Sequence, residues 1–313
     1  MSKRENVIKL LNKETFDYTP AGFWIHFPKE IIESGIEAQV QAHLQFAEQT
    51  QVDVLKIMNE NEFRRSTPIV RASDWAHIKP LATNDQKFRN QKEIIERTLE
   101  ALDEQVYTLG TIHGVMASLS HSSGHSYSHS PQLLIQHALE NKTAVLDAIK
   151  ATTENVLYML EMTNQTAVDG IYYAQLGAEK DRLPREFFEE FIKPYDLMIL
   201  KAVQDKKIFL HMCKEHVDFD RFKDYPADVV NWAIHEGDYD LAAGTDYFKD
   251  KIILGGLDDR SGVLVDGSKN EIDEALTALK EQSDLSRFIL GADCTLPTTI
   301  NYERIRYAVE HVK

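Results

Sequence analysis

The sequence predicts an α/β fold, a (β/α)8 barrel forming one domain over residues 1–313. Three observations carry this expectation. Eight short apolar runs rich in β-branched and aromatic residues recur along the 313 residues, and longer amphipathic segments separate them. No internal repeat, low-complexity tract or Pro/Gly/Ser linker marks a domain boundary. One such run is ambiguous alone, but eight, each followed by room for a helix, fit a closed parallel barrel better than an open doubly wound sheet.

In chain order the predicted strands are GFWIHF (22–27), VDVLKIM (52–58), VYTLGTI (106–112), VDGIYYA (168–174), KIFLHMC (207–213), DVVNWAI (228–234), KIILGGL (251–257) and RFILGAD (287–293). Helices are expected at 36–50, 91–104, 131–163, 185–204, 269–281 and 301–312. Pro131 and Pro184 suit the first helical position, where a missing N–H costs nothing. The segment after the third run, HGVMASLSHSSGHSYSHS, sets His113, His121, His125 and His129 among serines. It reads as a solvated polar loop, with a metal site or a lid as the alternatives.

Composition narrows the function classes. With 43% hydrophobic residues the chain can bury a large core, and no apolar run approaches the length of a membrane span. The opening MSKRENVIKLLNK lacks the apolar core of a signal peptide, so a cytoplasmic protein that binds no membrane is expected. Fifty acidic against 35 basic residues give a formal charge of −15, which opposes nucleic-acid binding. Two cysteines make no disulfide framework and are available as thiols.

Barrel enzymes place their chemistry at the C-terminal ends of the strands. His211 and Cys213 close the fifth run, two residues apart and therefore on one side of a strand, and Cys294 follows the eighth run across the mouth. One imidazole and two thiolates suit Zn²⁺, and three protein ligands with a fourth position open is the catalytic pattern. The other reading is two cysteines packed as small hydrophobes beside a hydrogen-bonded histidine. Glu215, two residues past Cys213, becomes a fourth ligand if the strand continues, whereas Asp293 should point away from Cys294.

VDGIYYAQLGAEKDRLPREFFEEFIKPY (168–195), KIFLHMC, KIILGGLDD (251–259) and FILGADCTLPTTINYERIRYAVE (288–310) together resemble the uroporphyrinogen decarboxylase superfamily. Within it they are most similar to the zinc-dependent methyltransferases that move a methyl group from a corrinoid protein to a thiol such as coenzyme M. The resemblance implies a (β/α)8 barrel and a zinc site on His211, Cys213 and Cys294. The decarboxylases carry an arginine-rich segment after the first strand, where this chain reads GFWIHFPKE, with His26 and Lys29. An aspartate after their second strand is replaced here by Asn59 and Glu60, and their late "GHG" by ADC around Cys294. A substrate bearing many carboxylates needs bidentate cationic partners, which this sequence does not offer there.

The resemblance therefore implies methyl transfer to a small-molecule thiol, with Zn²⁺ as cofactor and the corrinoid supplied by a partner protein, since the chain has no DxHxxG corrinoid-holding segment. His26, Glu60, His113, Tyr172, Gln175, His235 and Asp258, all near predicted strand ends, are the candidates for catalytic or supporting roles. The alternatives are a tetrapyrrole decarboxylase and a non-catalytic barrel that binds zinc or a small ligand.

Overall fold

A computed structural model describes residues 1–102 and 105–313. Seven strands form one parallel sheet in sequential order: β1 (Val54–Ile57), β2 (Tyr107–His113), β3 (Gly170–Gln175), β4 (Lys207–Met212), β5 (Val229–Trp232), β6 (Ile252–Leu257) and β7 (Phe288–Ala292). The first predicted run is the exception. It is an extended segment that bridges β7 at Ala21 and Leu290 and β1 at Gly22 and Val54. Gly22 donates to the Leu290 carbonyl at 2.8 Å while Asp53 donates to the Ala21 carbonyl at 2.8 Å, so the segment closes the ring between the two edge strands. Pro20 brings no N–H to a ladder there, which keeps the pairing to isolated bridges.

The helices cover the outside of the sheet. Ile57 buries its side chain against Ile94, Ile95 and Val168 on that outer layer, each such aliphatic being worth about 1.5–3 kcal/mol of transfer free energy. Predicted and observed helices coincide at Ile36–Thr50, Lys269–Gln282 and Tyr302–Val312. The helix expected at 91–104 starts earlier, at Gln86, capped by the Asp85 side chain, and ends at Ala101; residues 103 and 104 lie outside the described residues.

Two expected long helices are each divided. The 131–163 helix breaks at Asn141, whose extended backbone ends Ser130–Glu140 and whose side chain caps Lys142–Asn164. The 185–204 helix breaks at Ile192, just before Pro194, which cannot donate the next helical hydrogen bond. Pro131 falls one residue later in its helix than expected, and Pro184 one residue earlier, at the cap.

The His/Ser segment is not a solvated loop. Val115–Ser123 is a helix with Ser118, Ser120, Ser122 and Ser123 buried. Its hydroxyls find partners inside the protein, Ser123 on the Ser120 carbonyl and Ser130 on the Ser120 hydroxyl. Uncharged, small hydroxyl residues are cheap to bury once they are bonded in this way.

Candidate metal centre

The C-terminal ends of the strands gather the chemistry-bearing residues at one mouth. His211 is the fifth residue of β4, and Cys213 follows its last residue, with its N–H still bonded to the Gln175 carbonyl at 3.0 Å. The chain then leaves the strand at once, because Lys214 and His216 take left-handed backbone conformations (φ 81° and 51°). Glu215 is thereby turned to Arg182, at 2.9 Å, and is not brought to the metal-ligand cluster. Cys294 lies two residues past the end of β7.

The Nε2 of His211 and the Sγ atoms of Cys213 and Cys294 all lie within 4.8 Å of one another. Sulfur is 3.8 Å from sulfur, and Cys294 Sγ is 3.3 Å from His211 Nε2. A tetrahedral zinc with Zn–S bonds of about 2.3 Å has a sulfur–sulfur edge of about 3.8 Å, so spacing and donor set both fit that ion. Among the described residues no other group of three His, Cys, Asp or Glu side chains has this spacing.

The two thiols lie within hydrogen-bond distance of each other and are driven in opposite directions. Cys213 is pushed well above the ordinary thiol value by its hydrogen bond to Cys294 and by burial, while the same bond, aided by His211, draws Cys294 well below it despite burial. A metal bound here would hold both sulfurs as thiolates.

Around the cluster, Tyr172 of β3 is buried and stacks on the His211 ring at 5.6 Å between centroids. The Trp24 ring meets Tyr172 edge-on at 4.9 Å. Lys56 of β1 is 5% exposed and sits 4.0 Å over the Tyr172 ring and 5.4 Å from that of Trp24. Burial pulls its pKa down to about 8, partly offset by the charges of Cys294, Glu60 and Cys213. Asp259, also buried, is pushed up to about 7 by burial and then by the charge on Cys294. Lys56, Asp259 and Asn231, whose Oδ1 is 2.5 Å from His211 Nδ1, are site residues that sequence reasoning missed.

The other expected residues divide by position. Exposed His26 pairs with Glu60 at 2.9 Å, and this contact, with Lys56, holds Glu60 below its ordinary value although burial opposes it. His113, at the end of β2, is pushed well below its ordinary value by burial and then by His121, so it is neutral. His235 receives a raised pKa from Asp293, whose Oδ2 accepts both its N–H, at 2.7 Å, and its Nδ1, at 3.0 Å. Asp258 caps the following turn through Arg260 and Ser261.

Gln175 is not brought to the cluster. Tyr172 faces His211, and the odd step to Gln175 sends its amide the other way, into a buried group where Asp196 accepts from Gln175, Tyr173, Tyr225 and the Val115 N–H. Of the remaining histidines in the Ser-rich segment, His121 pairs with Glu62 at 3.1 Å and His125 with the Ile69 carbonyl at 2.7 Å. A cavity of about 570 Å³ lined by Arg4, Tyr107, Asp169 and Lys206 lies at the opposite, N-terminal end of the barrel, away from this chemistry.

A closed parallel barrel with a His/Cys/Cys cluster at its C-terminal mouth is the architecture of a barrel enzyme. The uroporphyrinogen decarboxylase (URO-D) family model matches residues 47–313, and the chain belongs to that family. Among solved structures it is similar to a methyltransferase from Methanosarcina mazei, with a TM-score of 0.76 and 13% identity over 100% of this chain and 98% of that one. It is also similar to a B12-independent methionine synthase from Shewanella sp. W3-18-1, with a TM-score of 0.58 and 10% identity over 95% of this chain and 96% of that one. At such identities the likeness is one of fold. No curated protein matches the sequence.

Proposed function

We propose that this chain is a zinc-dependent methyltransferase that moves a methyl group from a methylated corrinoid protein to a small-molecule thiol, with residues 1–313 acting as one domain in the cytoplasm. The observation that carries the reading is the convergence of His211 Nε2, Cys213 Sγ and Cys294 Sγ within 4.8 Å at the barrel mouth. The URO-D family and the methyltransferase of the same fold support it.

His211, Cys213 and Cys294 would hold the zinc, which supplies Lewis acidity that lowers the pKa of a thiol at the open position. Lys56 brings a buried positive charge close enough to feel both sulfurs, which favours an arriving thiolate over a thiol. Tyr172, itself packed edge-on by Trp24, covers one face of His211 and keeps water off it. Exposed His26 and His235, each paired with a carboxylate, would take the proton that the thiol loses. His113 and Asp258 line the mouth where the methyl donor protein would dock, and Gln175 would act from behind, by bracing β3. The thiolate sulfur then forms a bond to the methyl carbon while the carbon–cobalt bond breaks, its electron pair leaving with the corrinoid.

Metal analysis of protein purified without added metal tests the first step. About one zinc per chain is expected, lost in Cys213→Ser and in Cys294→Ser. Methylcobalamin and a simple thiol then test the second, with methyl thioether expected from the wild type alone. A metal-free, stable protein that decarboxylates uroporphyrinogen overturns the reading.

A further inference from the structure

The geometry points to Asn231 as the positioning residue of the metal centre, one amide that sets the ligand state of His211 and ties it to the strand leading to Cys294. This rests on the zinc reading above but concerns a residue that neither the motif nor the family match assigns.

Asn231 is 3% exposed and stands opposite His211 in the β4–β5 register. Its Nδ2 donates to the Leu254 carbonyl of β6 at 2.9 Å and to the Ala292 carbonyl of β7 at 3.0 Å. Both amide hydrogens are therefore used. The reversed amide would face two carbonyl oxygens with a third acceptor and is excluded. The Oδ1 has only lone pairs to offer, so His211 Nδ1, 2.5 Å away, carries the hydrogen and donates it. A neutral imidazole protonated at Nδ1 has its lone pair on Nε2, the atom that lies 3.3 Å from Cys294 Sγ.

The same side chain reaches the other arm of the site. Ala292, whose carbonyl Asn231 holds, is two residues before Cys294. A single buried amide thus links β4 to β7 through the barrel interior and fixes His211 and the approach to Cys294 in one hydrogen-bonded unit. No other short side chain does both. A carboxylate keeps the acceptor for His211 but turns its second oxygen, a repelling one, on both the Leu254 and Ala292 carbonyls, and leucine keeps the volume but satisfies none of the three partners.

The test uses the full-length protein with His ring nitrogens labelled with ¹⁵N. In the metal-free wild type, the His211 resonance, assigned by its loss in His211→Gln, is expected in the Nδ1–H tautomer. Chelator competition is then expected to show zinc binding weakened about 10- to 100-fold in Asn231→Leu, the usual effect of removing a metal ligand's hydrogen-bond partner. In Asn231→Asp the tautomer is retained and zinc affinity is recovered in part. An Nε2–H tautomer in the wild type overturns the inference even if a variant fails to fold. So does a well-folded Asn231→Leu whose zinc affinity lies within about twofold of wild type. A wild type that binds no zinc sinks the proposed function instead, while the tautomer still reports on Asn231.

Discussion

At the scale of single residues, burial decides how some histidines titrate, and His43 shows the pH signature most simply. It lies fully buried in the helix Ile36–Thr50, its Nδ1 bonded to the Gln39 carbonyl at 2.7 Å and its Nε2 accepting the Met58 N–H at 2.8 Å. Burial pulls its pKa from 6.5 down to about 4. Between those values the unfolded chain binds the proton and the native protein does not, so this residue makes stability rise with pH across the window and fall on acidification. The interval corresponds to about 3 kcal/mol. Urea denaturation at pH 7 and at pH 4.5 is expected to show a smaller acid loss in His43→Gln than in wild type. Asp196, pushed up to about 6 by burial, contributes the opposite slope, so the comparison between variants isolates His43.

His211, Cys213 and Cys294 were legible in the sequence because the chain has only two cysteines and both end strand-like runs. Lys56 and Asn231 were not. Each interrupts an apolar run once, and a single polar residue on a strand reads the same whether it faces the barrel axis or the helices. Only the register decides, by setting Asn231 against His211 and Lys56 against Leu109.

At the scale of elements, strand positions were readable while helix interruptions were not. Asn141 and Ile192 sit in periodic apolar patterns that continue across them, so the breaks come from local backbone choices invisible to periodicity. The Val115–Ser123 helix escaped notice because serine favours caps and turns, and here burial overrides that preference. Close packing between elements gives its own expectation. In the helix Leu241–Tyr247, a Cβ on Gly244 would stand 2.1 Å from the buried Trp232 ring of β5, next to Asn231. Gly244→Ala should therefore destabilise the protein by about 1–3 kcal/mol by overpacking, measurable by thermal or urea unfolding.

At the scale of the whole molecule, the ring is shut by the segment around Ala21 and not by a full strand, and Asp53 is what secures it. This fully buried carboxylate accepts from the Tyr18 hydroxyl at 2.8 Å and the Ala21 N–H at 2.9 Å, and it pairs with Lys313 at 3.3 Å. It joins the segment around Tyr18 and Ala21 and the residue Lys313 to the start of β1. Asp53→Asn, which keeps the size but weakens these charge-assisted bonds, is expected to cost about 1–3 kcal/mol of stability and to raise amide exchange at Gly22 and Val54, read by hydrogen exchange.

The candidate ligands His211 and Cys294 stand 83 residues apart in sequence, with the βα units of β5 and β6 between their strands. No early collapsed fragment can present both, because closing a loop of that length is repaid only when β5, β6 and β7 are stacked in order. If the centre takes zinc as proposed, metal uptake belongs to the end of maturation: in refolding experiments, resistance of bound zinc to a competing chelator should appear with the slowest folding phase and not before it. A newly made chain would be spared from capturing an ion through half a site, and the filled centre would serve as a mark that the C-terminal half of the barrel has been assembled.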